Sequence, residues 1–119
     1  MARQVKSTDQ LKPNFAPAYA AAMYPGLAAI FHRHGYALAC HGSLARDFDL
    51  IAVPWAEKVS DHQSVLKDVT TEYALRLCGD QASRNHGRVA YTLSCGFGEC
   101  AIDLSFFPGA IPVDTTGNE

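Results

Sequence analysis

The sequence predicts an α+β domain, a small mixed sheet of about four strands with two to three helices packed on one face. Three observations lead there. Val65, Leu66, Val69, Tyr73 and Leu77 recur at helical spacing. Val89, Tyr91, Leu93 and Cys95 alternate with more polar neighbours, and Ile102, Leu104 and Phe106 share one side of another short run, the pattern of strands with a buried face. The chain has 119 residues, 48% hydrophobic and 18% charged, which suits one packed core rather than two domains.

The elements follow in order. Residues 1–14 are polar and expected to fray, so the domain is expected to occupy residues 15–107. Ala18 to His34 reads as a helix, kinked or broken at Pro25-Gly26. Leu27, Ile30 and Phe31 lie on its inner face, and Gly35 is a natural stop. Tyr36 to Cys40 is the first strand, Gly42 to Arg46 a turn, and Asp47 to Val53 the second strand, closed by Pro54. Ser60 is placed as a helix cap with Gln63 completing a capping box, and that helix is expected to end near Gly79. Asp80 to Gly87 reads as a polar loop. Arg88 to Cys95 and Cys100 to Phe107 read as two strands joined by a hairpin turn at Gly96 to Glu99. Residues 108–119, with two prolines and two glycines, read as a flexible tail.

Composition narrows the function. Net charge is -2 and the basic residues are scattered, so the charge balance offers no support for a polynucleotide partner. The longest apolar stretch, Phe15 to Phe31, is interrupted by Pro17, Pro25 and Gly26 and is too broken for a membrane span. No secretory pattern opens the chain, which leads to the expectation of a soluble cytoplasmic protein. Cys40, Cys78, Cys95 and Cys100 form no Cys-x-x-Cys pair and are expected to be reduced thiols, although Cys95 and Cys100 flank the hairpin turn closely enough to face each other.

The chemistry concentrates in the run His41-Gly42-Ser43-Leu44-Ala45-Arg46-Asp47-Phe48-Asp49. On a strand Asp47 and Asp49 would point the same way, about 7 Å apart along the chain. Two carboxylates on one face are costly unless solvated, protonated or bound to a cation. Asp103 is the only charge in the run Ala101 to Phe107. It shares a face with Ala101, Ser105 and Phe107, opposite the better core face of Ile102, Leu104 and Phe106. If the two strands lie side by side, Asp47, Asp49 and Asp103 make a cluster suited to one or two Mg²⁺ ions.

Gly-Ser, then Asp-apolar-Asp-apolar, then a distant apolar-Asp-apolar resembles the nucleotidyltransferase superfamily of the DNA polymerase beta type, over roughly Tyr36 to Phe107. Asp-Phe-Asp-Leu-Ile-Ala-Val-Pro-Trp and the later Asn-His-Gly-Arg resemble, more loosely, small phage and prophage proteins of that superfamily. The resemblance implies a minimal nucleotidyltransferase-like fold with Mg²⁺ (or Mn²⁺) held by Asp47, Asp49 and Asp103, and with Asp103 helping to deprotonate the attacking hydroxyl. It implies that Gly42 and Ser43 meet the triphosphate of an NTP. Only Leu44, Ala45 and Arg46 separate Gly-Ser from the Asp pair, where the family carries a short helix, so fewer free amides face a phosphate.

Other residues have two readings each. Ser43 suits a phosphate contact or a turn, and Arg46 a triphosphate charge or an ion pair with Asp47. His32 and His34 suit a helix C-terminus. His41 touches a ligand or, the favoured reading, is a neutral core histidine, and His62 reads as solvated in a first helical turn. His86 and Arg88 border the site or belong to a polar loop, and Trp55 reads as packing. The leading function is transfer of an NMP from an NTP to a hydroxyl acceptor. The acceptor-selecting surface would come from a partner protein or a homo-oligomer. Competing readings are a degenerate nucleotide- or protein-binding domain, the catalytic subunit of a two-chain toxin-antitoxin pair, and a metal-dependent phosphohydrolase.

Overall fold

The computed structural model describes residues 15–96 and 100–109. Residues 1–14, most of 108–119 and part of the Gly96–Glu99 turn, read above as frayed, flexible and hairpin, lie outside them. The described residues form a five-stranded mixed sheet with two α-helices.

The first helix, α1, runs unbroken from Ala16–Arg33. Pro17 falls in its first turn, where no amide hydrogen is needed. Pro25 lies inside, yet no break occurs at Pro25-Gly26. The proline forfeits one helical hydrogen bond, and the buried side chains beyond it, Leu27, Ile30 and Phe31, hold the second half of the helix on the core. Gly26 lets the ring of Tyr73 approach the helix where any side chain would collide. Gly35 then turns the chain at φ +91°, and its carbonyl accepts the amides of Trp55 and Ala56 at 2.9 and 3.3 Å.

Strand β1 (Tyr36–His41) pairs antiparallel with β2 (Phe48–Pro54). The second helix, α2, spans His62–Glu72. Its cap is Asp61 rather than Ser60, and the Ser64 hydroxyl donates to the Asp61 carboxylate at 2.6 Å. Ser60 instead lies 2.6 Å from His34 Nδ1, so no Ser60–Gln63 capping box forms. The helix stops well before Gly79. Ala74 adopts φ +53°, Leu75 is buried, and Arg76–Ser83 becomes strand β3, antiparallel to β4 (Val89–Ser94) with a register shift between Cys78 and Ala82. β5 (Ile102–Phe106) completes the order β1-β2-β5-β4-β3. It is antiparallel to β4 and parallel to β2.

β3 replaces the expected end of the second helix and the first half of the Asp80–Gly87 loop, which makes five strands rather than four. It is an edge strand with nearly every residue exposed. Its main chain is held by β4, and no apolar alternation marks it in the sequence.

The core lies between the helices and one face of the sheet. Leu27, Ile30 and Phe31 of α1 and Val65, Leu66 and Val69 of α2 join Phe48, Leu50, Ala52, Ile102, Leu104 and Phe106 in one cluster. Phe106 is its centre. It is fully buried, with the rings of Phe31, Tyr36, Tyr91 and His62 at 5.9, 5.2, 5.6 and 4.0 Å. The expected core face of β5 is thus the observed one. No described helix is long and apolar enough to cross a membrane.

Phe106→Ala is expected to cost about 3–5 kcal/mol, the range for truncating a buried phenylalanine, whereas Leu77→Ala on exposed β3 is expected to stay within about 0.5 kcal/mol. Urea denaturation followed by far-UV circular dichroism checks both.

Candidate functional site

The parallel pairing of β2 with β5 sets Asp49 in register with Asp103. Both strands turn Phe48, Leu50, Ile102 and Leu104 toward the helices, so the two aspartates between them share the opposite face. Register extends the row across the sheet. His41 of β1 lies opposite Asp49, Thr92 of β4 opposite Asp103, and Cys78 of β3 opposite Thr92. Neighbouring strands stand about 4.8 Å apart, so the two carboxylates are side-by-side neighbours.

Their electrostatics follow from this placement. Burial, reinforced by the Asp103 charge and less by Asp47, pushes the Asp49 carboxyl above the usual carboxylate range, while His41 pulls it back. Asp103 Oδ1 is buried and receives no hydrogen bond. Leaving a buried acceptor unsatisfied costs about 1–3 kcal/mol, and more when it is charged. Asp49 and Asp103 therefore form a strained pair at the centre of the sheet.

Gly42 is fitted against this pair. It has φ +78°, and a Cβ there would lie 2.5 Å from Asp49 Oδ2. Only glycine meets both demands. Ser43 Oγ accepts the Ala45 amide at 3.2 Å, the turn-shaping role. No helix forms between Ser43 and Asp47. Arg46 is exposed and makes no ion pair with Asp47.

Asp47 stands apart from the other two. It precedes β2, and its Oδ1 accepts the Ala101 amide at 3.4 Å, which ties the chain ahead of β2 to the chain ahead of β5. The expected trio is thus a register-matched pair with Asp47 beside it. As the side chains stand, no three His, Cys, Asp or Glu residues among the described ones are arranged to hold a metal ion.

Two secondary readings change, those of His41 and His62. His41 is exposed and influences Asp49, so it is no core histidine. His62 is half-buried rather than solvated. It stacks on Phe106, and its Nδ1 lies 3.0 Å from Tyr91 Oη. His34 bridges Ser60 and Asp68 at 2.6 and 2.7 Å. Trp55 stacks on His32 at 4.8 Å while remaining 55% exposed. His86 is exposed at φ +66°, and the Arg88 guanidinium sits over Phe107 at 5.6 Å. Cys95 contacts the Tyr19 hydroxyl, and burial pushes the Cys100 thiol up. Neither cysteine is in a disulfide.

Thr92 went unnoticed in the sequence, and Cys78 was read only as a reduced thiol. The place of Thr92 beside Asp103, and of Cys78 beside Thr92, depends on the β4 and β3 registers, for which no spacing signal exists. No protein-family model, curated protein or solved structure matches the chain.

The raised Asp49 carboxyl fixes the sign of a pH effect. Its folded pKa exceeds its unfolded one, so the folded state binds the proton more tightly, and this group's contribution to stability falls as pH rises from about 4 through the folded value. Asn at position 49 is expected to flatten that fall and to raise the melting temperature at pH 7 without added metal. Urea titrations across pH 4–7 on both proteins measure it. Gly42→Ala is expected to cost about 1 kcal/mol or more. Part should be recovered when Asp49 is also Ala, a coupling that a double-mutant cycle reads directly.

Proposed function

We propose that this chain is a metal-dependent nucleotidyltransferase-like domain that moves an NMP from an NTP to a hydroxyl acceptor. The observation that carries the reading is the register-matched pair Asp49 and Asp103, with Asp103 Oδ1 buried and unpartnered. An oxygen-only donor set with unmet negative charge fits a hard divalent cation such as Mg²⁺ or Mn²⁺. Asp49 and Asp103 would hold it, with Asp47 in reach as the third ligand of the resemblance once its bond to the Ala101 amide is released. Bound there, the cation supplies charge that offsets phosphate oxygens and eases deprotonation of the acceptor hydroxyl.

The chain's own residues do the rest. Asp103 would take the hydroxyl proton. Gly42 keeps the turn against Asp49 free of a side chain. Ser43 and Arg46, exposed just before the pair, are the groups available to phosphate oxygens. The surface that selects the acceptor is assigned to a partner chain or a second copy.

A second reading, a nucleotide-binding domain without catalysis, is favoured by the bond from Asp47 to Ala101 and by the turn that stands where a phosphate-binding helix would start. The two readings separate on product. The first expects pyrophosphate release from an NTP that requires Mg²⁺ or Mn²⁺ and disappears in Asp103→Asn. Metal-dependent NTP binding by calorimetry without pyrophosphate favours the second. Absence of both metal-dependent binding and turnover, in wild type that calorimetry shows to be folded, contradicts the proposal.

A further inference from the structure

A cavity of about 540 Å³ opens where β2 ends at Pro54 and β5 gives way to Phe107, beside the first turn of α2. This is the carboxyl end of the parallel pair, where open α/β sheets bind ligands. Asp49 lies five residues before Pro54, roughly 16 Å at strand rise, so the cavity is separate from the carboxylate pair. Its volume falls within the range of small-molecule sites. Tyr36, Pro54, Val59 and Phe107 give it apolar and aromatic walls, and among the described residues neither Lys nor Arg lines it.

Among its side chains the Asp61 carboxylate only accepts, while the Gln63 amide both donates and accepts. The Tyr36 hydroxyl is spent on the Ser60 carbonyl at 2.8 Å, and the Ser60 hydroxyl is engaged with His34. His62 is more informative. Tyr91 donates its only hydroxyl hydrogen to Gln81 Oε1 at 3.2 Å, so at 3.0 Å His62 Nδ1 must be the donor to Tyr91. In the neutral ring this leaves Nε2 as a bare lone pair. Burial lowers the His62 pKa and favours the neutral form. Phe106 covers one face of the His62 ring, Tyr91 takes Nδ1, and His62 lines the cavity. The exposed Asp61 carboxylate stands next to it.

We propose that this cavity is a binding site for a small planar ligand carrying an amidinium or amino-substituted aromatic ring. Its flat body would lie against the aromatic walls, and its N–H groups would donate to His62 Nε2 and Asp61. Anionic ligands are disfavoured by the Asp61 carboxylate.

The probe is benzamidine, titrated into the full chain and followed by ¹H–¹⁵N NMR, with benzoate as the oppositely charged isostere. Saturable shifts are expected at Tyr36, Val59 to Gln63 and Phe107. Benzoate is expected to bind at least about tenfold more weakly, and Asp61→Asn to weaken benzamidine by about fivefold or more. Ser64→Ala removes the Asp61–Ser64 hydrogen bond while keeping the carboxylate, so it is expected to retain binding and separates charge from local structure. Absence of saturable shifts, equal binding of benzoate, or an Asp61→Asn variant that binds as wild type would each overturn the proposal.

Discussion

The parallel union of β2 and β5 is the constraint on which the rest of the molecule depends. It joins strands distant in sequence, with α2, β3 and β4 between them, and it is closed at both ends. The Phe48 amide donates to the Ala101 carbonyl and the Phe107 amide to the Ala52 carbonyl, each at 2.9 Å. Asp47 adds a side-chain bond to the Ala101 amide at the entry. A slip of one residue would turn Phe48, Leu50, Ile102 and Leu104 out of the core. Burial on the helix side therefore fixes what happens on the other side, where Asp49 and Asp103 have no choice but to stand together.

That coupling explains a local cost. The same register that buries Phe106 among four rings places a carboxylate beside another and leaves one of its oxygens without a donor. A folded chain tolerates such a pair because the apolar core on the opposite face outweighs it. Unfavourable charge at the centre of a well-packed sheet is the kind of strain that functional sites carry. Gly42, shaped to clear Asp49, belongs to the same arrangement.

Much of this was legible in the sequence because burial on one face writes a period. Val65, Leu66 and Val69 announced a helix, and Ile102, Leu104 and Phe106 announced the inner face of β5, which put Asp103 on the outer one. The positions of Asp49 and Asp103 followed from the same alternation. What was not legible has physical reasons. β3 is exposed on both faces and is held by main-chain bonds, so it carries no period. Leu77 continued the helical spacing past Ala74, whose φ of +53° turns the chain out of the helix. Pro25 looked like a break because the packing of Leu27, Ile30 and Phe31 that carries the helix past it is a tertiary effect. Asp47 could be placed near the pair but not on the Ala101 amide, because that bond requires the β2/β5 register. Likewise His62 read as a first-turn surface residue until its stack on Phe106 was visible.

The most direct test of the central claim, that the Asp49–Asp103 pair is built to be neutralised by a divalent cation, is paramagnetic broadening by Mn²⁺ in ¹H–¹⁵N spectra. At substoichiometric Mn²⁺ the account predicts selective loss of signals from His41, Gly42, Asp49, Thr92 and Asp103, with β3 beyond Cys78 and the exposed face of α1 unaffected, and with the broadening reversed by Mg²⁺. Uniform broadening spread over surface carboxylates such as Asp68 and Glu72, with the centre of the sheet untouched, would contradict it.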